Sequence, residues 1–278
     1  MPPFDTQYQL ALRNILETGH PIFNERTGHE IKALPGVTLQ MDLAESFPLL
    51  TLRKIPIPLF VAEMIWYIHG SNNPDDYVNH FTGIWKEFTE SDGTVAAAYG
   101  HRWRRHFGRD QLGDLVRHLA AMPGSRHGVV VTWDPRDDGL STGTPKKNVP
   151  CPYTFTVNVM GGALHLHNIV RSNDMILGCP HDVAGFALLA YILAAKLGVR
   201  PGILTHSISN AHIYDIHYEA GRELLTRTHD HSAIPFLADP SHFDRAEKGD
   251  KTLVEEITKL LSEKYQPLAA IKGLKIVL

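Results

Sequence analysis

The chain has 278 residues, 43% of them hydrophobic and 21% charged, enough apolar side chain to bury a sizeable core. Its formal net charge is -3, so no overall positive field draws it to nucleic acid and any anion site has to be local. Only Cys151 and Cys179 carry thiols, which argues against a disulfide scaffold and for a reduced, cytoplasmic setting.

The opening residues lack a basic stretch followed by an apolar core, so no signal peptide is expected. Residues 6–18 have helical spacing, with Leu10, Leu12, Ile15 and Leu16 expected on one face. Residues 37–41 alternate like a strand. Pro56 and Pro58 open a helical run over 59–69 that Gly70 closes. An amphipathic helix is expected over 111–122 and a strand over 128–133, stopped by Asp134-Pro135. The polar stretch 136–148, with Gly139, Gly143 and Pro145, reads as a surface loop.

Residues 153–160 and 163–170 are strand-like and meet at Gly161-Gly162, a two-residue hairpin signal. A long apolar helix is expected over 182–197, ended by Gly198. Its apolar run, 183–195, is too short to span a bilayer and reads as buried. A strand over 202–209, a helix over 217–227, a charged loop over 239–250 and a short helix over 254–261 follow. Strands and helices do not alternate strictly, so an antiparallel or mixed sheet flanked by helices is expected rather than a parallel doubly wound one.

Cys151 follows Pro150 at the entry to a strand, after a polar loop. To attack carbon it must be a thiolate, which needs positive charge nearby. Arg171 is the candidate, because the hairpin brings the strands together. A cysteine alone reads better as a small buried hydrophobe, and Cys179, set among Ile176, Leu177 and Pro180, keeps that reading. His165 with His167, and His229-Asp230-His231, are donors by type, but neither set has a spaced third ligand, so no metal is expected. Pro-Cys also serves DNA cytosine methyltransferases, yet the chain has neither their glycine-rich strand-turn-helix nor a basic stripe.

Other stretches form an ordered series: Arg26-Thr27-Gly28, Phe47-Pro48-Leu49-Leu50-Thr51, Glu63-Met64-Ile65-Trp66, Ile84-Trp85, Tyr99-Gly100-His101-Arg102-Trp103-Arg104, Ser125-Arg126, Cys151, Arg171-Ser172-Asn173-Asp174, Leu177-Gly178 and Ala211-His212-Ile213-Tyr214. In this order they closely resemble the thymidylate synthase superfamily over nearly the whole length. The resemblance implies an α/β (α+β) fold, a twisted mixed sheet flanked by helices, with residues 1–278 as a single catalytic domain. It also implies a homodimer with Arg126 donated across the interface, and no nucleic-acid or membrane partner.

By the same resemblance the substrates are a pyrimidine nucleoside monophosphate and 5,10-methylenetetrahydrofolate. Cys151 would add to C6 of the base, and C5 would then attack the folate methylene. Glu63 would organise the water that moves protons, and Tyr99 would assist loss of the C5 proton. Arg26, Arg126, His127, Arg171, Ser172, Asn173, Asp182, His212 and Tyr214 would bind the nucleotide; Trp85, Asp174 and Arg53 would line the folate side.

The departures carry information. Asp182 stands where the family has Asn. A carboxamide matches the N3–H donor and O4 acceptor of uracil. Cytosine reverses both, and a protonated carboxyl satisfies it: it donates to N3 and accepts from the 4-amino group. Asp182, at the end of the stretch that begins Arg171-Ser172-Asn173-Asp174, resembles the cytidylate 5-hydroxymethylase branch, so hydroxymethylation of a cytidine monophosphate is expected, with dCMP favoured by Ser172 and Tyr214. The tail from Tyr265 to Leu274 resembles that of the methylating enzymes and keeps dCMP methylation as an alternative, with thymidylate synthesis on dUMP behind it. Asp182, just before Val183, also suits a helix N-cap. Pro152, His127 and Val170 stand where the family usually has His, Arg and Gln.

Overall fold

A computed structural model describes residues 1–139, 149–230 and 233–277. Tyr8, Ala11, Leu12 and Ile15 recur at helical spacing and form the buried face of α1 (Phe4–Thr18). Leu10, expected on that face, is 58% exposed; residues two apart on a helix point to different sides, so it cannot share a face with Leu12. β1 (His20–Asn24) and β2 (His29–Asp42) follow, then α2 (Ile57–His69), in which Pro58 occupies the first turn and Gly70 ends the helix at φ 78. The short α3 (Tyr99–His101) runs into a π-helical turn at Arg102–His106. α4 (Gln111–Ala121) is capped by Asp110, whose side chain accepts from the Gly113 amide.

β3 (Val129–Val131), β4 (Pro152–Met160) and β5 (Ala163–Val170) come next. The β4–β5 turn falls at Gly161 and Gly162, with φ of 59 and 70, the backbone a two-residue hairpin requires. The remaining elements are β6 (Asn173–Asp174), α5 (Gly178–Leu197), β7 (Arg200–Tyr214), α6 (Tyr218–Thr226), α7 (His242–Glu247) and α8 (Thr252–Ser262).

The 7-stranded sheet runs β1-β2-β7-β5-β4-β3, with β6 paired to β7. β5 and β6 lie parallel to β7; the other pairs are antiparallel, so the sheet is mixed and flanked by helices, as expected. α5 packs on α2, β5 and β7, and its residues from Val183 to Ala194 are buried without a break. By length and composition α5 could cross a membrane, longer than the expected apolar run, but 78% of its most apolar window is buried inside the fold. It is the central core helix.

Several expectations shift. α5 begins at Gly178, not at Asp182. Pro180 is tolerated in a first turn, whose amides have no helix partner, so Asp182 lies one turn inside the helix and is no N-cap. The charged segment 239–250 contains α7, because Phe243 and Ala246 bury one face while Lys196 pairs with Asp244. β7 extends well beyond 202–209 because β2 pairs with it along most of its length. Of the loop expected over 136–148, residues 140–148 lie outside the described residues, as does His231.

Candidate active site

The β4–β5 register sets Pro152 opposite Val170, so the residues just outside the pair, Cys151 and Arg171, meet. The Arg171 amide donates to the Cys151 carbonyl at 2.9 Å, and Nη2 lies 3.7 Å from Sγ. Arg171 also donates to the carbonyls of Pro150 and Val149 at 2.8 and 3.0 Å, which fixes the guanidinium beside the half-buried thiol. Burial pushes the Cys151 thiol up; Arg171 and Arg26 pull it down, and Asp182 opposes them. The thiol therefore becomes a thiolate more readily when Asp182 is neutral.

Tyr99, at the start of α3, reaches Cys151 from the other side: its hydroxyl accepts from the Cys151 amide at 3.4 Å. Burial holds that phenol neutral. Glu63, on α2, accepts from Trp85 Nε1 at 2.8 Å. Burial pushes its carboxyl up to about 8; the Trp85 bond lowers it and Asp182 raises it. Asp182, on the facing side of α5, is raised to about 7 by burial, against the bond it accepts on Oδ2 from Asn173 Nδ2 at 2.8 Å. A cavity of ≈ 20 Å³ lies between these groups, lined by Glu63, Tyr67, Tyr99, His181 and Asp182 among others; that is room for one water.

The remaining expected residues divide into two groups. Arg26 is exposed in the β1–β2 turn yet close enough to bias both Cys151 and Tyr214. Ser172 is half-buried between β5 and β6. His212 and Tyr214 are buried at the end of β7 with their rings edge to face at 5.0 Å, and His212 Nδ1 meets Asn210 Oδ1 at 3.1 Å. Asp174 is half-buried, with Oδ1 held by the amides of Ile176 and Leu177. Trp85 packs edge-on against Tyr99 at 6.4 Å.

The second group lies apart. Arg53, expected on the folate side, is 4% exposed and donates to the Ile176 carbonyl. Arg126 and His127 are exposed on the α4–β3 loop. His127 lines the larger concavity, ≈ 630 Å³, which runs along α4 and β3 and contains none of Cys151, Glu63, Tyr99 or Asp182.

Of the histidines considered as metal donors, His165 and His167 are engaged in the sheet: His165 Nδ1 accepts from the Ile203 amide at 3.1 Å, and His167 Nε2 meets Ser207 Oγ at 2.9 Å. Among the described residues His106, Asp134 and Asp137 are close enough to share a cation. Arg102 already enters that cluster, 2.9 Å from His106 Nε2 and 3.4 Å from Asp134 Oδ2.

Sequence reasoning missed Asn168, His206 and His181. Asn168 Nδ2 lies 3.1 Å from His206 Nδ1, and His206 Nε2 lies 3.0 Å from Asn173 Oδ1, so a polar chain runs behind Asp182. A signal existed: Asn168 and His206 occupy inward positions on strands whose same-face neighbours, Leu166 and Val170, Leu204 and Ile208, are apolar. His181 donates through Nδ1 to the Leu177 carbonyl, and burial lowers it to about 4.

A family model described as thymidylate synthase matches residues 6–274 of the chain.

Proposed function

The chain belongs to the thymidylate synthase family, and from that premise we propose that it hydroxymethylates C5 of a cytidine monophosphate, dCMP in preference to CMP. The family transfers a one-carbon unit from methylenetetrahydrofolate to C5 of a pyrimidine nucleotide. The observation that carries the finer reading is Asp182: a carboxyl raised to about 7, held on Oδ2 by Asn173 and facing the cavity beside Glu63. Near neutral pH such a group donates a proton through one oxygen and accepts through the other, the pattern that N3 and the 4-amino group of cytosine need.

The chain's residues divide the work. Arg171 and Arg26 stabilise the Cys151 thiolate, and Arg171, Ser172 and Arg26 hold the phosphate, whose charge suits planar guanidinium forks. Cys151 Sγ bonds to C6, the C5–C6 double bond opens, and its electrons pass toward N3. Asp182 delivers its proton there, so the ring becomes a neutral enamine rather than an anion. C5 then bonds to the one-carbon unit of the folate co-substrate, and Tyr99, beside Cys151, assists departure of the C5 proton as the carbon–nitrogen bond breaks and tetrahydrofolate leaves. The folate co-substrate supplies one carbon at the methylene level; the half-buried Asp174 carboxylate, fixed by two loop amides, is an acceptor suited to pterin N–H donors. A water ordered by the neutral Glu63 carboxyl then provides the hydroxyl oxygen, and its proton goes to the departing Cys151 sulfur. The single-water cavity next to Glu63 has room for that water. Cys151 then leaves C6, the C5–C6 double bond re-forms, and N3 returns its proton to Asp182, which completes turnover.

A second reading, methylation, has one observation behind it. The tail is docked: the Tyr265 hydroxyl donates to the Leu50 carbonyl at 2.7 Å and accepts from the Ile55 amide at 2.8 Å. A closed tail favours the water exclusion that hydride transfer needs. Incubating dCMP, CMP and dUMP with methylenetetrahydrofolate and weighing the products decides between them. A cytosine product heavier by a hydroxymethyl group is expected, without dihydrofolate. A methyl product with dihydrofolate selects the second reading, and turnover of dUMP alone overturns both.

A further inference from the structure

We propose that His206, acting through Asn173, is a positioning residue for Asp182: it fixes which way round the Asn173 carboxamide sits, and so which hydrogen-bonding edge Asp182 offers to the base. The inference rests on the reading that Asp182 contacts the base, and it adds a determinant of specificity at a distance from the substrate.

As the Asn168 and Asn173 carboxamides are oriented, with Asn168 Oδ1 turned away and unpaired, the bonds run in one direction. Asn168 on β5 pairs in register with His206 on β7. Asn168 Nδ2 can only donate, so His206 Nδ1, 3.1 Å away, accepts. A neutral imidazole with a bare Nδ1 carries its proton on Nε2, which therefore donates to Asn173 Oδ1 at 3.0 Å. With its oxygen engaged, Asn173 has only its NH2 left for Asp182, and Nδ2 donates to Oδ2 at 2.8 Å. Asn168 and His206 are fully buried and Asn173 is 3% exposed, so water does not compete for these bonds.

Two alternatives are blocked. Burial lowers His206 to about 3, so it stays neutral, with only His167 of β5 as a charged-type neighbour; a protonated ring would set Nδ1–H against the Asn168 amide. If Asn173 turned round, its oxygen would face Asp182. That oxygen repels the carboxylate and captures the hydroxyl of the neutral acid, which is the proton N3 of cytosine requires.

The other groups facing Asp182 cannot perform this sorting. Glu63 and Tyr67 approach from α2, Tyr99 from α3, Cys151 from the entry to β4, Asp174 from β6 and Cys179 from Asp182's own helix. None of them has a hydrogen bond to the Asp182 carboxyl among the described residues.

The test compares wild type, His206→Phe and His206→Gln. The glutamine amide nitrogen can donate from near the Nε2 position, whereas phenylalanine cannot. His206→Phe should lower the ratio of kcat/KM between dCMP and dUMP by roughly tenfold, the scale of one misdirected hydrogen bond. Its alkaline rate limb should move to higher pH, because the Asn173 bond that lowers Asp182 is lost. His206→Gln should restore both. A folded His206→Phe protein with the wild-type ratio and limb overturns the proposal.

Should His206→Phe fail to fold, ¹⁵N NMR of labelled wild type decides instead: a proton on Nε2 and a bare Nδ1 are expected, and the opposite tautomer overturns the proposal. Titration of the Asp182 carboxyl carbon in ligand-free wild type and His206→Gln separates this inference from the proposed function. With His206→Phe added to the set, a titration raised in His206→Phe and restored in His206→Gln supports the relay whichever base is turned over, and equal titrations in all three proteins contradict it.

Discussion

The pocket has two sides that work by different physics. Its rim, formed by Arg26 and Arg171, is cationic and open or half-open to solvent. Its floor, formed by Glu63 and Asp182 among Tyr67, Tyr99 and Phe186, is acidic and enclosed. The rim acts through a field that salt screens. The floor acts through the location of protons, which responds to pH because burial has moved both carboxyls to about 8 and about 7. A chain of net charge -3 can thus offer an anion a cationic rim while burial pushes the acids of its floor toward the neutral form.

Cys151 joins the two sides, and removing it should have the largest effect. Cys151→Ser should lower C5–H release by roughly 10³-fold or more, while isothermal calorimetry still finds nucleotide binding. Retained release would mean that the rim and floor serve another nucleophile. Asp182→Asn should turn the floor from cytosine to uracil: the ratio of kcat/KM for dCMP and dUMP should swing by about 10⁴, as when a buried polar edge loses its match. An unchanged ratio would assign base choice to some other group.

Glu63→Gln should cut turnover by about 10²-fold and stabilise the fold in alkali. The sign follows from linkage. The folded carboxyl, raised to about 8, holds a proton that the unfolded chain has already lost. Wild type therefore loses stability as pH climbs from the ordinary carboxylate range through about 8. The variant's gain should be complete above that pH, on the order of a few kcal/mol, and absent below about pH 4. Thermal melts across pH check this, and a gain that persists in acid would show that proton linkage is not its source. Arg26→Ala should raise KM for the nucleotide by about tenfold with little change in kcat, and added salt should mimic it in wild type. A kcat loss without a KM change would move Arg26 from the rim to the chemistry.

The sequence made the rim more legible than the floor. Gly161-Gly162 and the alternation on both sides set the hairpin register, and the register alone brings Arg171 to Cys151. The mixed sheet was legible because strands and helices fail to alternate. The start of α5 was not, because Pro180 and the Asp182-Val183 junction look like a helix entry while Asp174 organises the turn before it. The burial of Arg53 was not legible for a different reason: the Ile176 carbonyl that draws it inside is distant in sequence. Asn168 and His206 were visible as polar residues at inward strand positions, yet only the fold places them behind Asn173.

The most direct test follows tritium from the C5 position of dCMP and of dUMP, with methylenetetrahydrofolate, in wild type across pH. Release from dCMP well above that from dUMP, declining as Asp182 ionises above about 7, is the expected result. No release from any cytidine monophosphate, with normal release from dUMP, would contradict the assignment of Asp182 as the acid that reads cytosine.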